Sequence, residues 1–272
     1  MLPRALLTMS REMQHDEGGF YSAQDAQSEG KEGKCFCWTL QQMTDLLEGD
    51  ELAVAQRWFG VSAKRNFIDH SDPEPLLGLN VLHMAEPDWK LNGAEKKALQ
   101  SATEKMRESR SLRIPAATDR KVLADWNGMM IASLARASHV LDEPRYLDAA
   151  AKAHAFVLSK LWREQSLYHR WCDGERDHSQ QVSSYLQMIA GSLGLYQASL
   201  ESDYLDVAIQ LAEGARKLFY DEKRGGFYVG VDRPDLVLRL KDDFDGATPT
   251  GSSVGAMQFL KLVRAKAKLL GM

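Results

Sequence analysis

Three polar loops carry acidic side chains that could act as a general acid or a general base. Asp25 and Glu29 lie in the first loop, Asp119 lies in the second and Asp245 in the third. Two carboxylates on either side of a reacting carbon can donate and accept the proton that such chemistry moves. The same acids also fit a capping or solvated role, because carboxylates in glycine-rich loops accept hydrogen bonds from backbone N–H groups.

Four side chains near these loops are candidates for substrate binding: Lys121, Trp126, Asn127 and Tyr185. Each also has a structural interpretation. Lys121 could form an ion pair with Asp119, and Trp126 could pack in the core at the front of a helix. Asn127 could cap that helix, while a tyrosine such as Tyr185 is often a core residue. Both interpretations stay open for all four.

The cysteines and acidic residues do not form a metal-site pattern. Cys35 and Cys37 are two residues apart, and no second Cys or His pair follows at zinc-site spacing. Residues 243–246 superficially resemble a calcium loop, but Lys241 and Ser252 occupy its first and twelfth positions, where acids are required. Walker, Gly-x-Gly-x-x-Gly and Gly-x-Ser-x-Gly motifs are also missing from the sequence. We therefore expect no metal and no cofactor.

Composition excludes several classes of partner. The chain has 272 residues, with 34 basic and 38 acidic side chains and a net charge of -4. That balance favours neither nucleic acid nor an anionic membrane. There is no run of about 18 apolar residues and no signal-peptide pattern, so we expect no membrane association. Three sparse cysteines indicate a reducing compartment, and we expect the protein to be cytoplasmic.

An internal repeat dominates the organisation of the chain. Tyr-Leu-Asp-Ala-Ala at residues 146–150 returns as Tyr-Leu-Asp-Val-Ala at residues 204–208, and each copy opens an alanine-rich helical pattern. A further apolar helix precedes each copy, at residues 126–141 and 182–200. This order of helix, short turn, helix and longer loop predicts stacked αα-hairpins. Residues 252–270 fit the first helix of a third unit.

The remaining segments are less regular. Residues 2–14 fit the end of a helix, and residues 39–59 fit one helix with a capping box formed by Thr39 and Gln42. Residues 61–88 predict a long loop and residues 94–110 a solvated helix. Since no linker rich in glycine or serine interrupts the chain, we expect a single domain over residues 1–272.

Three sequence blocks resemble the YyaL-like, or DUF255, family. The first is Gly-Gly-Phe-Tyr-Ser-Ala-Gln-Asp-Ala-Gln-Ser-Glu-Gly, which begins at Gly18. The second runs from Arg113 through Trp-Asn-Gly-Met-Met to Ile131. The third runs from Gly225 through Asp-Gly-Ala-Thr-Pro-Thr-Gly to Ser253. The blocks follow the order of the family and cover most of the chain.

This resemblance implies an all-α fold, an (α/α) toroid of the six-hairpin glycosidase type. Family members carry a thioredoxin-like domain before an (α/α)6 toroid. This sequence has no Cys-x-x-Cys and no βαβ pattern, so we expect the thioredoxin-like domain to be absent. We also expect the toroid to be incomplete, with only its later αα-hairpin repeats present as one partial domain.

Several positions depart from the family pattern. Gln27, Arg120 and Ser183 stand where the family usually has an acid, and Ser184 replaces a second acid beside Ser183. The lost carboxylates weaken a prediction of catalysis.

The resemblance implies a carbohydrate-processing or carbohydrate-binding domain, similar to six-hairpin glycosidases and N-acylglucosamine 2-epimerases. If activity is retained, Asp25 or Glu29 would act with Asp119 or Asp245 in proton transfer at a sugar. Lys121, Trp126, Asn127 and Tyr185 would then position a small sugar ligand. The alternative is a non-catalytic scaffold or truncated fragment that pairs with a separate thioredoxin-like partner.

Overall fold

In the computed structural model, residue 9 and residues 11–70 and 72–269 are described. They form two compact units. The hairpin unit comprises residues 1–23 and 119–272, and the inserted unit comprises residues 24–118. Strands β1 (Ala23–Gln24) and β4 (Thr118–Asp119) lie where the chain passes between the units. The expectation of a single domain over the whole chain stays a prediction. Most of the helix end predicted at residues 2–14 lies outside the described residues.

In its described residues, the inserted unit has three helices and one short β-hairpin. The hairpin pairs β2 (Gln27–Ser28) with β3 (Lys31–Glu32). The helices are α1 (Leu40–Leu46), α2 (Gly49–Phe59) and α3 (Gly93–Ser111), of which α3 confirms the helix predicted at residues 94–110. No helix or strand interrupts the described residues between α2 and α3, which confirms the predicted loop. A small core between the helices includes Trp38, Met43 and Met106.

One helix prediction was wrong in its extent. Residues 39–59 form two helices, because Leu47 and Glu48 both adopt extended backbone, with ψ of 146° and 157°. The predicted capping box is confirmed: the Thr39 side chain accepts from the Gln42 N–H, and the Gln42 side chain accepts from the Thr39 N–H. The capped helix therefore starts where the sequence predicts and ends about two turns later.

Among the residues that the structure describes from 119 onward, the hairpin unit has five helices, and each begins within two residues of the start that the repeat pattern predicts. They are α4 (Ala124–Leu141), α5 (Pro144–Leu161), α6 (Val182–Ser199), α7 (Ser202–Phe219) and α8 (Gly251–Leu269). Helix α6 packs against α4, α7 and α8, and α5 packs against α4. Helices α4, α6 and α8 thus form an inner layer, and α5 and α7 form an outer one. This alternation confirms the predicted all-α fold, an arc of an (α/α) toroid built from αα-hairpins.

Two features bring the inner helices α4 and α6 together. Their facing side chains are buried and apolar, among them Ile131, Leu134 and Ile189. The helices also approach very closely at Gly128, where an added Cβ would lie only 2.4 Å from the backbone carbonyl carbon of Gln187. Because Gly128 has no side chain, the amino-terminal turns of α4 and α6 can lie this close together.

Short strands and bridges complete the loops of the hairpin unit. Strands β5 (Val122–Leu123), β8 (Arg170–Cys172) and β9 (Glu175–Arg176) form an antiparallel sheet, and β6 (Trp162–Arg163) pairs with β7 (Ser166–Leu167). Two loops contain the sequence Gly-Gly-Phe, at residues 18–20 and 225–227. Both close in the same way, through the bridges Gln14–Phe20 and Tyr220–Phe227. Residues 167–171, which run from the end of β7 into β8, form a further extended segment.

Candidate functional site

A polar cluster lies at the amino-terminal ends of α4 and α6. Asp125, in the first turn of α4, accepts a hydrogen bond on Oδ2 from the Ser183 hydroxyl at 3.1 Å. The Asp125 Oδ1 atom lies 4.0 Å from Nδ1 of His169. The same Nδ1 lies 3.0 Å from the hydroxyl of Ser184. A carboxylate, an imidazole and two hydroxyls thus converge at one end of the inner layer; we call these four residues the amino-end cluster.

The backbone fixes His169 in this position. Its N–H donates to the carbonyl of Ser179 at 2.9 Å, and its carbonyl accepts from the N–H of Ala124, also at 2.9 Å. The second bond satisfies one of the free N–H groups at the start of α4. The side chains of His169 and Asp125 keep 17% and 15% of their surface exposed. A ligand can therefore reach an imidazole whose backbone is held on both sides.

Trp126 follows Asp125 directly and presents an aromatic surface. The residue is 45% exposed although it lies at the start of a packed helix. An exposed aromatic face offers a flat apolar platform to a ligand. Of the four predicted binding residues, Trp126 has the most accessible side chain for such a role.

Asp119 and Lys121 lie in the short segment of β4 and β5 that leads into α4. Lys121 Nζ is 3.0 Å from Asp119 Oδ2, and the backbone N–H of Lys121 donates to Asp119 Oδ1 at 3.2 Å. The Lys121 ammonium holds the pKa of Asp119 below its ordinary value. Strand β5 directly follows Asp119 and Lys121, and strand β8 directly follows His169. Because β5 pairs with β8, Asp119 and Lys121 lie at the same end of the unit as the amino-end cluster.

Asn127 and Tyr185 are buried, and their polar atoms are engaged within the protein. Asn127 accepts from the backbone N–H of Phe20 at 2.8 Å and donates to the carbonyls of Phe20 and Leu123 at 3.0 and 2.9 Å. The Tyr185 hydroxyl accepts from the backbone N–H of Leu167 at 2.8 Å and donates to a glutamine side chain at 2.8 Å. Both residues anchor loops beneath the cluster, and their direct contact with a substrate stays a prediction.

Asp245 caps the start of α8. Its carboxylate accepts from the Thr250 N–H at 2.8 Å and from the Ser253 hydroxyl at 3.2 Å. These hydrogen bonds lower the pKa of Asp245 below its ordinary value. The residue is exposed in the hairpin unit at the amino-terminal end of an inner helix, which is the end where α4 and α6 carry their polar residues. Its predicted catalytic role stays a prediction.

Asp25 and Glu29 belong to the inserted unit. Asp25 is exposed and accepts a hydrogen bond from the Gln27 N–H at 3.0 Å, in an Asx turn. Glu29 is exposed, adopts a positive φ of 53° and forms an ion pair with Lys34 at 2.8 Å. These local contacts match the loop-stabilising interpretation, and a catalytic role for either residue stays a prediction.

The chain is similar in sequence to several known proteins. No protein-family model matches the sequence. Human spermatogenesis-associated protein 20 is 32% identical over 289 residues, a match that covers 93% of this chain and 37% of the human protein. An uncharacterised protein of Caenorhabditis elegans is 27% identical over 281 residues, covering 93% of this chain and 38% of that protein.

The chain is homologous to part of spermatogenesis-associated protein 20. The predicted kinship is therefore confirmed, and the chain spans just over a third of the length of these relatives. The expected absence of a thioredoxin-like domain stays a prediction, and so does the proposed reaction.

Two solved structures of sugar enzymes are similar to this chain at a low level. Cellobiose 2-epimerase from Spirochaeta thermophila has a TM-score of 0.42 and 16% identity, over 55% of this chain and 39% of that one. A sugar epimerase from a ruminal bacterium has a TM-score of 0.41 and 14% identity, over 96% and 64%.

Sequence reasoning missed the amino-end cluster, although each member carried a signal. Asp125 directly precedes Trp126 in the second of the three sequence blocks. Ser183 and Ser184 are the two positions where an acid was expected. His169 belongs to the extended segment at residues 167–171. What the sequence could not supply was the contact between the start of α4 and that segment, which the β5–β8 pairing creates.

The structure also bears on metal binding and on membrane insertion. Among the residues that the structure describes, no group of three or more His, Cys, Asp or Glu side chains could hold a metal ion. Within the same residues, no helix has the length and apolar character needed to cross a bilayer.

Proposed function

We propose that the amino-terminal ends of α4 and α6 bind a sugar and carry out acid/base chemistry on it. The observation that supports this most is the amino-end cluster beside an exposed tryptophan. The cluster supplies groups that donate and accept hydrogen bonds, and Trp126 supplies an apolar face. A sugar ring has the matching surfaces: hydroxyls around its edge and C–H groups on its faces.

His169 is the proposed proton carrier. Its Nδ1 is occupied by the Ser184 hydroxyl, so the imidazole presents Nε2, which has no hydrogen-bond partner among the described residues. Imidazole exchanges protons near neutral pH better than any other side chain. In the proposed step Nε2 accepts a proton from a sugar carbon next to a carbonyl, and the same group returns it. Asp125 lies beside the proposed proton carrier, with its Oδ1 atom 4.0 Å from Nδ1 of the ring.

Asp119, Lys121 and Asp245 keep supporting roles in this proposal. Asp119 and Lys121 form an ion pair at the same end of the unit, where they offer one acceptor and one donor to sugar hydroxyls. Asp245 is held by the start of α8. A carboxylate whose pKa is lowered stays ionised at neutral pH, so Asp119 and Asp245 suit hydrogen-bond acceptance better than acid catalysis.

The experiment is deuterium exchange into unlabelled sugars. Glucose, mannose, N-acetylmannosamine and cellobiose are incubated with the protein in D2O, and proton NMR follows the loss of the C–H signal next to the carbonyl. New reducing ends are measured in parallel with oligosaccharides, to detect transfer at a glycosidic oxygen. The proposal expects exchange or cleavage for one sugar class, reduced at least about 100-fold by His169→Gln.

The matched control is His70→Gln, which changes an exposed histidine of the inserted unit. Equal activity in the His169→Gln protein would overturn the assignment of His169. If no sugar in the panel exchanges, is cleaved or binds, the proposed sugar chemistry is wrong. The scaffold alternative then takes its place.

A further inference from the structure

We propose a second binding site, in a groove on the inner layer, for an anionic sugar such as a sugar phosphate or a sugar acid. The groove has a volume of about 520 Å³ and lies between α4, α6 and α8. Its lining includes Arg136 and His139 from α4, Gln197 from α6, and Gln258 and Lys261 from α8. This site is distinct from the amino-end cluster. Arg136 is eleven residues after Asp125, about 16 Å further along the axis of α4.

Small residues create the space. Helix α6 contributes Ala190, Gly194 and Ala198, which recur every fourth residue and therefore share one face of the helix. Helix α4 contributes Ala132 and Ala135. The floor of the groove is consequently formed by methyl groups and backbone, onto which the apolar face of a small ligand can pack.

The charge of the lining selects an anion. Arg136 and Lys261 are exposed, and neither forms an ion pair with any part of the chain that the structure describes. No aspartate or glutamate is among the described residues that line the groove. Basic residues near a helix carboxyl end can be explained by the helix dipole, which accounts for His139. Lys261 lies in the middle of α8, so the dipole does not account for it.

Gln258 provides an independent indication of a ligand. The residue lines the groove and is only 7% exposed, and its Oε1 has no hydrogen-bond partner among the described residues. An unsatisfied buried carbonyl oxygen is costly, and such groups are rare in native proteins. A ligand hydroxyl that donates to Oε1 would satisfy it. The groove thus offers cations for an acidic group and an amide acceptor for a hydroxyl, the combination that an anionic sugar matches.

The test is isothermal titration calorimetry at low ionic strength with glucose 6-phosphate and glucuronate, compared with glucose and inorganic phosphate. We expect at least one anionic sugar to bind at least about tenfold more tightly than glucose and than phosphate. Lys261→Gln should weaken that binding at least about tenfold, because a charge-assisted hydrogen bond is lost. Lys266→Gln, on the same helix but outside the groove, should leave it unchanged.

Gln258→Leu separates binding from folding. Replacing an unsatisfied buried amide by an apolar side chain should leave the unfolding midpoint unchanged or raised, yet it should weaken binding of the anionic sugar. Three outcomes would overturn the proposal: no binding of either anionic sugar, equal binding of phosphate alone, or equal effects of Lys261→Gln and Lys266→Gln. None of them bears on the amino-end cluster, which is tested with neutral sugars and with His169.

Discussion

His154 makes the stability of the hairpin unit depend on pH. His154 lies on α5, and its ring faces two neighbouring helices. The ring Nε2 is 2.8 Å from the hydroxyl of Ser192 on α6, and the ring contacts Tyr204 of α7 edge-on. Burial lowers the pKa of His154 from 6.5 to about 4. In the unfolded chain the imidazole takes up its proton near pH 6.5, whereas in the native protein it does so only near pH 4.

The sign and size of the effect follow from this difference. The unfolded state binds more protons between the two pKa values, so the contribution to stability is complete above pH 6.5 and is lost as the pH falls toward 4. The full difference corresponds to about 3 kcal/mol, of which about 2 kcal/mol is lost between pH 7 and pH 5.

Urea unfolding at pH 7 and pH 5 measures this loss. His154→Gln keeps a hydrogen-bonding partner for Ser192 but does not titrate, so its free energy of unfolding should fall by about 2 kcal/mol less than that of the wild-type chain. His139→Gln, at an exposed position on α4, should retain the wild-type pH dependence. Equal pH dependence in the His154→Gln protein would refute the reasoning.

Three substitutions test how the inner layer is held together. Gly128→Ala should destabilise the protein by about 1–3 kcal/mol in urea unfolding, because its Cβ would lie 2.4 Å from the Gln187 backbone, whereas Gly93→Ala, with open space around it, should be neutral. Asn127→Leu leaves the buried N–H of Phe20 without its partner and should lower the free energy of unfolding by about 2 kcal/mol or more; an unchanged value would show that this anchor is dispensable. Tyr185→Phe should cost about 1–2 kcal/mol for the same reason, measured by thermal unfolding, and no change in midpoint would contradict it.

The helices of the hairpin unit were predictable because their signals are local. Alanine-rich patterns with steps of three and four residues mark both faces of each helix, and Pro144 and Ser202 begin α5 and α7. The break between α1 and α2 was not predictable in this way. Leu47 fits an apolar helical pattern, and its side chain is buried with 1% exposure, so the pattern continues through a position where the backbone is extended.

The candidate site was predictable only in part. Trp126, Asp119 and Lys121 stood out in the sequence because they lie in the second sequence block, in a polar loop and at the helix start that follows it. His169 and Asp125 did not, because 44 residues separate them along the chain and their contact depends on the pairing of β5 with β8. Asn127 and Tyr185 were recognisable as polar residues at helix starts. Their polar atoms are nevertheless taken by buried backbone groups, which only the tertiary structure reveals.

A sugar that binds over Trp126 at the amino-terminal ends of α4 and α6 should lose affinity when the indole is removed, and calorimetric titration of Trp126→Ala measures that loss. A tryptophan buries up to roughly 250 Å², so covering half of the exposed 45% removes about 55 Å² from water, worth about 1.4 kcal/mol. We therefore predict that the sugar bound by the wild-type chain binds about tenfold more weakly to Trp126→Ala. Val263→Ala, which truncates an exposed side chain on α8, should bind it normally. Equal affinity of the wild-type and Trp126→Ala proteins for that sugar would contradict the account.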